Sequence, residues 1–259
     1  VLNIKTDYLY SSGTFTAGTG LVQYTGTGSQ TVAAILYNNL TINKATGIAL
    51  LNSTSTVAGN LVVSSGELDV NATMTVTGNT TISSGAIITG DAVTLNIGGN
   101  WANSGTFNAG TGTVNMNGTG SQNISATTFN NLIVNKSSGT AVLTGNVTAN
   151  GNATLQSGIF DLSTFTCNRS SVGGVLSIIN GTGLYIGGAN NFPANFATNS
   201  LGNTSTVLYN GTMAQFVKGI TYGNLSFSNG GAAAKTLVSS GTVNGDILVN
   251  SGATLHSGG

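Results

Sequence analysis

The chain has 259 residues with six acidic and six basic side chains, a formal net charge of zero, 39 glycines and one proline. The cations Lys5, Lys44, Lys136, Arg169, Lys218 and Lys235 are scattered along it, which argues against the basic stripe that follows a nucleic-acid backbone. A 39% hydrophobic fraction with positive mean hydropathy argues against disorder, and no apolar run approaches the roughly 18–20 residues of a membrane-spanning helix.

Val1 stands where an initiator Met would, and no leader pattern opens the chain, so it reads as a mature or excised piece of a longer precursor. The first predicted unit begins at Leu2-Asn-Ile4, followed by Ser12-Gly-Thr-Phe-Thr-Ala-Gly-Thr-Gly20 and Thr25-Gly-Thr-Gly-Ser-Gln30. Tyr37-Asn-Asn-Leu-Thr-Ile-Asn-Lys44 carries the first clear strand, Leu40-Thr-Ile42. Next come Leu61-Val-Val63 and Met74-Thr-Val76, inside shorter elements that start at Gly59-Asn60, Gly78-Asn79 and Gly99-Asn100.

From Leu95 the series starts again. Ser104-Gly-Thr-Phe-Asn-Ala-Gly-Thr-Gly112, Asn117-Gly-Thr-Gly-Ser-Gln122 and Phe129-Asn-Asn-Leu-Ile-Val-Asn-Lys136 repeat the earlier segments at an offset of 92 residues. A third, degraded copy opens at Leu184-Tyr-Ile-Gly-Gly188 and includes Tyr222-Gly-Asn-Leu-Ser-Phe227 and the strand Ile247-Leu-Val249. The sequence units are therefore 1–93, 94–182 and an incomplete 183–259, within one continuous solenoid over 1–259.

Short alternating strands on a sub-period near 20 residues predict an all-β fold, a single-stranded parallel β-helix or β-solenoid. At about 20 residues per coil, the 259 residues make roughly 13 coils. Leu40 and Ile42 share one strand face and point inward, whereas Asn39, Thr41 and Asn43 share the other. Glycines mark the corners, and recurrent corner asparagines are suited to ladders of amide hydrogen bonds between coils.

The run from Gly110 to Gln122, followed by Phe129 to Lys136, resembles the repeats of very large prokaryotic surface proteins, adhesins and fibre-forming β-helix proteins. The resemblance covers essentially the whole chain. It implies secretion and a role in attachment or envelope structure, and it brings no catalytic residues with it.

Read as chemistry, the residues offer little. The acids are Asp7, Glu67, Asp69, Asp91, Asp161 and Asp246, and only Glu67 and Asp69 lie close together on one strand face. Asp161 repeats Asp69, but Ile159 replaces Glu67, so a carboxylate pair is not a feature of the repeat. His256 is the single histidine and is expected to face solvent, and Cys167 is expected to be a small buried hydrophobe. No catalytic, cofactor-binding or metal-ligating residue is assigned. Tyr8, Tyr10, Trp101 and Phe192 recur near unit starts, where they either fill wide corners or stack on sugar rings.

Fourteen Asn-x-Ser/Thr sequons occur, among them those at Asn39, Asn71, Asn79, Asn117, Asn146, Asn180 and Asn224, and they permit glycosylation in a secreted host. The expected function is that of a structural, non-catalytic extracellular segment of a stiff fibre, filament or cell-surface stalk. Its partners would be adjacent repeats or subunits joined through the solenoid ends, with Val1 to Tyr10 as the joining stretch. A carbohydrate-binding adhesin recognising surface glycans and a polysaccharide-degrading β-helix are the alternatives. No cofactor, nucleic acid or membrane span is expected.

Overall fold

The computed structural model describes residues 1–8, 14–228 and 233–258, so Tyr10 and the Ser12-Gly13 start of the first repeat lie outside the described residues. Among the described residues every regular element is a β-strand and none is a helix. Parallel coils stack about 20 residues apart, and the fold is a β-solenoid of about 12 turns. That is one turn fewer than length divided by period. Coil spacing is 19 to 21 residues from Asn39 to Asn100 and widens to between 23 and 26 from Asn152 to Thr206. The chain divides into two compact units, Val1–Gly118 with Thr127–Asn131, and Thr119–Ala126 with Leu132–Gly259.

In the first unit each coil contributes strands to three walls. Along one wall Val22, Leu40, Leu61, Thr80 and Trp101 are successive partners, and Tyr24, Ile42, Val63 and Ile82 run beside them. Both files point inward and are buried. Leu40 and Ile42 are fully buried, as alternation requires. A second wall stacks Ala49, Leu68, Ile88 and Phe107, and a third stacks Val57, Val76, Ile97 and Met116. Each buried Leu, Ile or Val contributes about 1.5–3 kcal/mol relative to exposure.

The strands Asn39–Leu51 and Leu61–Val70 run through a corner, where their pairing shifts register between Ile42 and Ile48. Gly66 makes that corner, with φ +75° and an added Cβ only 2.8 Å from both the Cβ and the carbonyl oxygen of Lys44. Only a residue without a side chain fits both the left-handed backbone and the approach of the coil below.

In the second unit Ala141, Phe160, Leu184, Val207, Leu225 and Ile247 form one continuous file of partners. Leu132, Ala153 and Leu176 form another. Shorter sheets pair Val147–Ala149 with Cys167–Asn168, and stack Gln215–Val217, Lys235–Leu237 and Leu255–His256 in order. Gly158 repeats the corner of Gly66, at φ +79° and with an added Cβ 2.8 Å from the carbonyl oxygen of Lys136.

Candidate functional site

The carboxylates are placed by the walls. Glu67 and Asp69 alternate with the buried Leu68 and Val70, so both face outward. Glu67 accepts a hydrogen bond from Thr89 Oγ1 at 2.7 Å. One Asp69 oxygen is buried without a hydrogen-bond partner. Burial holds the Asp69 carboxyl above its usual range, with repulsion from Asp91 and Glu67 acting in the same direction. Asp161 accepts the Ser163 N–H at 2.8 Å and closes a local turn. His256 is exposed. Cys167 is buried, and burial pushes its thiol up to about 12, which leaves it unreactive at neutral pH. Among the described residues no group of three or more His, Cys, Asp or Glu side chains is arranged to hold a metal ion.

The most developed polar arrangement was not anticipated from the sequence. Lys44, Lys136 and Lys235 are each at most 1% exposed. The three N–H donors of the Lys44 ammonium meet three neutral oxygens: Gly26 O at 2.8 Å, Gly28 O at 2.7 Å and Gln30 Oε1 at 2.7 Å. Gln30 is itself buried. Its oxygen also accepts the Gly26 N–H at 2.8 Å, and its Nε2 donates to Ile4 O at 3.1 Å and Thr6 O at 2.7 Å. One amide and one ammonium thus fasten three passes of the chain together, with a matched acceptor for every donor.

The device recurs in the other copies. Lys136 Nζ donates to Gln122 Oε1 at 2.6 Å. Gln215 accepts the Gly211 N–H at 3.0 Å and donates to Ile186 O at 3.0 Å and Asn190 O at 2.7 Å. Lys235 reaches the carbonyls of Gly211 and Met213. Burial lowers the pKa of all three lysines.

Paired tyrosines accompany two of the three copies. The Tyr24 and Tyr37 hydroxyls lie 3.0 Å apart, the first accepting the Ala33 N–H and the second donating to Ala33 O. Tyr209 and Tyr222 repeat the pair at 3.4 Å, with Tyr222 donating to Lys218 O. Desolvation raises all four phenol pKa values. In the middle copy the corresponding residues are the buried Met116 and Phe129. There Trp101, which is 1% exposed, packs on Phe107 and Phe129 at 4.9 and 5.5 Å and donates to Thr127 Oγ1 at 3.0 Å. Phe192 is also buried. Trp101 and Phe192 therefore pack into the protein and cannot stack on a sugar, while Tyr8 lies edge-on to Phe15.

The expected asparagine ladder is present. Asn39 Oδ1 accepts the Asn60 N–H, Asn60 Oδ1 the Asn79 N–H, and Asn79 Oδ1 the Asn100 N–H, at 2.9, 2.8 and 2.8 Å. Other sequon asparagines bond similarly to the next coil: Asn146 to Thr166, Asn180 to Thr204 and Asn224 to Asp246. Asn71 donates its Nδ2 to Asn52 Oδ1 at 3.1 Å. Asn71, Asn79, Asn117, Asn146 and Asn180 are exposed, and Asn39 and Asn224 are partly so.

No protein-family model, curated protein or solved structure matches this chain. A signal for the staples was nonetheless in the sequence. Gln30 with Lys44 and Gln122 with Lys136 occupy identical places in two copies, which scattered surface charge has no reason to do.

Proposed function

We propose that this chain is a structural, non-catalytic segment of an extracellular fibre, filament or cell-surface stalk, continuing end to end into further repeats or subunits. The observation that carries the reading is the use of the scarce charged side chains. Three of six cations are buried against neutral oxygens of neighbouring coils, where they hold the stack together and are withdrawn from solvent. In a polar surface of Asn, Ser and Thr, a sequon such as Asn117 is the natural place for a host to add sugar.

Two apolar strands support continuation. Leu2–Ile4 pairs with Leu21–Tyr24, and Val1 and Leu2 beside its other edge are 83% and 43% exposed. Ile247–Val249 pairs with Asn224–Phe227 and leaves Ile247, Leu248 and Val249 56%, 55% and 46% exposed. Such edges are templates for another parallel strand. Negative-stain microscopy and sedimentation of native material test the proposal: the expected result is elongated assemblies or one longer continuous fibre. Isolated single copies from intact full-length material would overturn it, as would turnover of polysaccharide by the purified chain.

A further inference from the structure

The second unit carries a cleft of about 260 Å³ lined by Asn191, Pro193, Asn195, Phe216, Lys218 and Val238. Drug-sized ligands occupy about 300–1,000 Å³, so this volume suits one ring of a longer ligand. Two features separate it from an ordinary surface groove. Phe216 and Val238 are each 57% exposed, so a phenyl ring and an aliphatic side chain stand in solvent side by side. Lys218 is half-buried with its ammonium 5.5 Å from the Phe192 ring centroid, and among the described residues it has no oxygen partner. The buried lysines and Arg169, by contrast, are bonded to protein oxygens.

Asn191 adds a second unused donor. Its Oδ1 accepts the Phe216 N–H at 2.7 Å, which fixes the amide, while its Nδ2 has no acceptor among the described residues. No carboxylate lines the cleft. An ammonium and an amide N–H beside an exposed aromatic face call for a ligand with a flat, weakly polar ring face, hydroxyl oxygens and a negative charge.

We propose that this cleft binds an acidic saccharide, one sugar ring lying on Phe216 and its carboxylate meeting Lys218 and Asn191 Nδ2. The stacking face is the exposed Phe216; Phe192 also lines the cleft but is buried, with Lys218 over its ring, and Trp101 lies elsewhere. The site is independent of whether the chain builds a fibre.

The test is calorimetric titration of the whole chain with three probes: a tetragalacturonate, its methyl ester and tetraglutamate. Saturable binding of the tetragalacturonate is expected, weakened about ten-fold or more by esterification and by Lys218→Met, in line with loss of a charge-assisted hydrogen bond. Phe216→Ala should weaken acid and ester alike. Asn191→Asp keeps the acceptor for the Phe216 N–H but puts a repelling oxygen where Nδ2 was, and should abolish binding with an unchanged circular dichroism spectrum. Equal binding of acid and ester, wild-type affinity in Lys218→Met or Asn191→Asp, or no binding at millimolar probe would each overturn the proposal. Tetraglutamate binding as tightly as the saccharide would assign the cleft to acidic peptides instead and refute it.

Discussion

Replacing Lys44 by Met isolates what a buried ammonium does in this solenoid. Methionine fills nearly the same space but donates nothing. Gln30 Oε1 retains the Gly26 N–H, so the oxygens left without a donor are Gly26 O, which is buried, and Gly28 O, which is partly so. An orphaned buried acceptor costs about 1–3 kcal/mol, and water reaching Gly28 O halves its share, for a total of about 2–4 kcal/mol. Removing a desolvated charge offsets part of this, which leaves a net loss of about 1–3 kcal/mol. Gln30→Leu should be worse, at about 3–5 kcal/mol, because the charge stays buried with fewer acceptors. It also strips the Gly26 N–H and Thr6 O of this partner and leaves Ile4 O with the Thr25 N–H. In the double variant the charge is gone, so its loss should fall short of the sum by more than about 1 kcal/mol. Urea unfolding followed by Trp101, the single tryptophan and a member of the same unit, reads all three. Single variants within about 0.5 kcal/mol of wild type, or strictly additive losses, would refute the reasoning.

Asn60→Ala removes the acceptor of the Asn79 N–H and should lower stability by about 1 kcal/mol. Hydrogen exchange at the Asn79 amide should accelerate, and unchanged exchange there would count against the ladder. Gly66→Ala forces a side chain into φ +75° and within 2.8 Å of Lys44. It should cost about 1–3 kcal/mol, seen as a lower melting temperature; an unaltered melt would contradict the corner geometry. The pH dependence should have two limbs. Lys44, Lys136 and Lys235 titrate below the ordinary 10.5 in the folded chain, so the unfolded chain binds more protons as pH rises toward that value, and stability climbs. Cys167 titrates above its ordinary 9.0, and Tyr24, Tyr37, Tyr209 and Tyr222 above 10.0, so past those values the folded chain holds the extra protons and stability falls. Urea midpoints between about pH 7 and pH 11 should therefore pass through an alkaline maximum; a steady decline from neutrality would contradict the buried ammonium groups.

Most of the fold was legible because its causes are local and periodic. Alternation in Asn39-Leu-Thr-Ile-Asn43 fixes which side chains enter the core, and the corner glycines and Asn60 recur at the coil period. Polar partnership was harder to see, because it depends on which residues stacking brings together. Gln30 and Lys44 are 14 residues apart and meet only when one coil lies on another. Trp101 was ambiguous for a related reason: an aromatic at a corner is equally a platform or a plug until Thr127, Phe107 and Phe129 are seen around it. The cleft at Phe216 was invisible. Asn191 and Phe216 are 25 residues apart, beyond the regular period, so no repeat pattern aligned them.

Because each inner coil of the first unit is bonded above and below along three walls, its cohesion does not depend on an unbroken covalent path. A protease that nicks the exposed corner at residues 52–54 would leave two fragments still annealed strand to strand, separating only under denaturant. Durability of this kind resides in the lateral contacts between turns: a severed corner is survivable, whereas the loss of one inward-facing lysine is felt by every turn it joins.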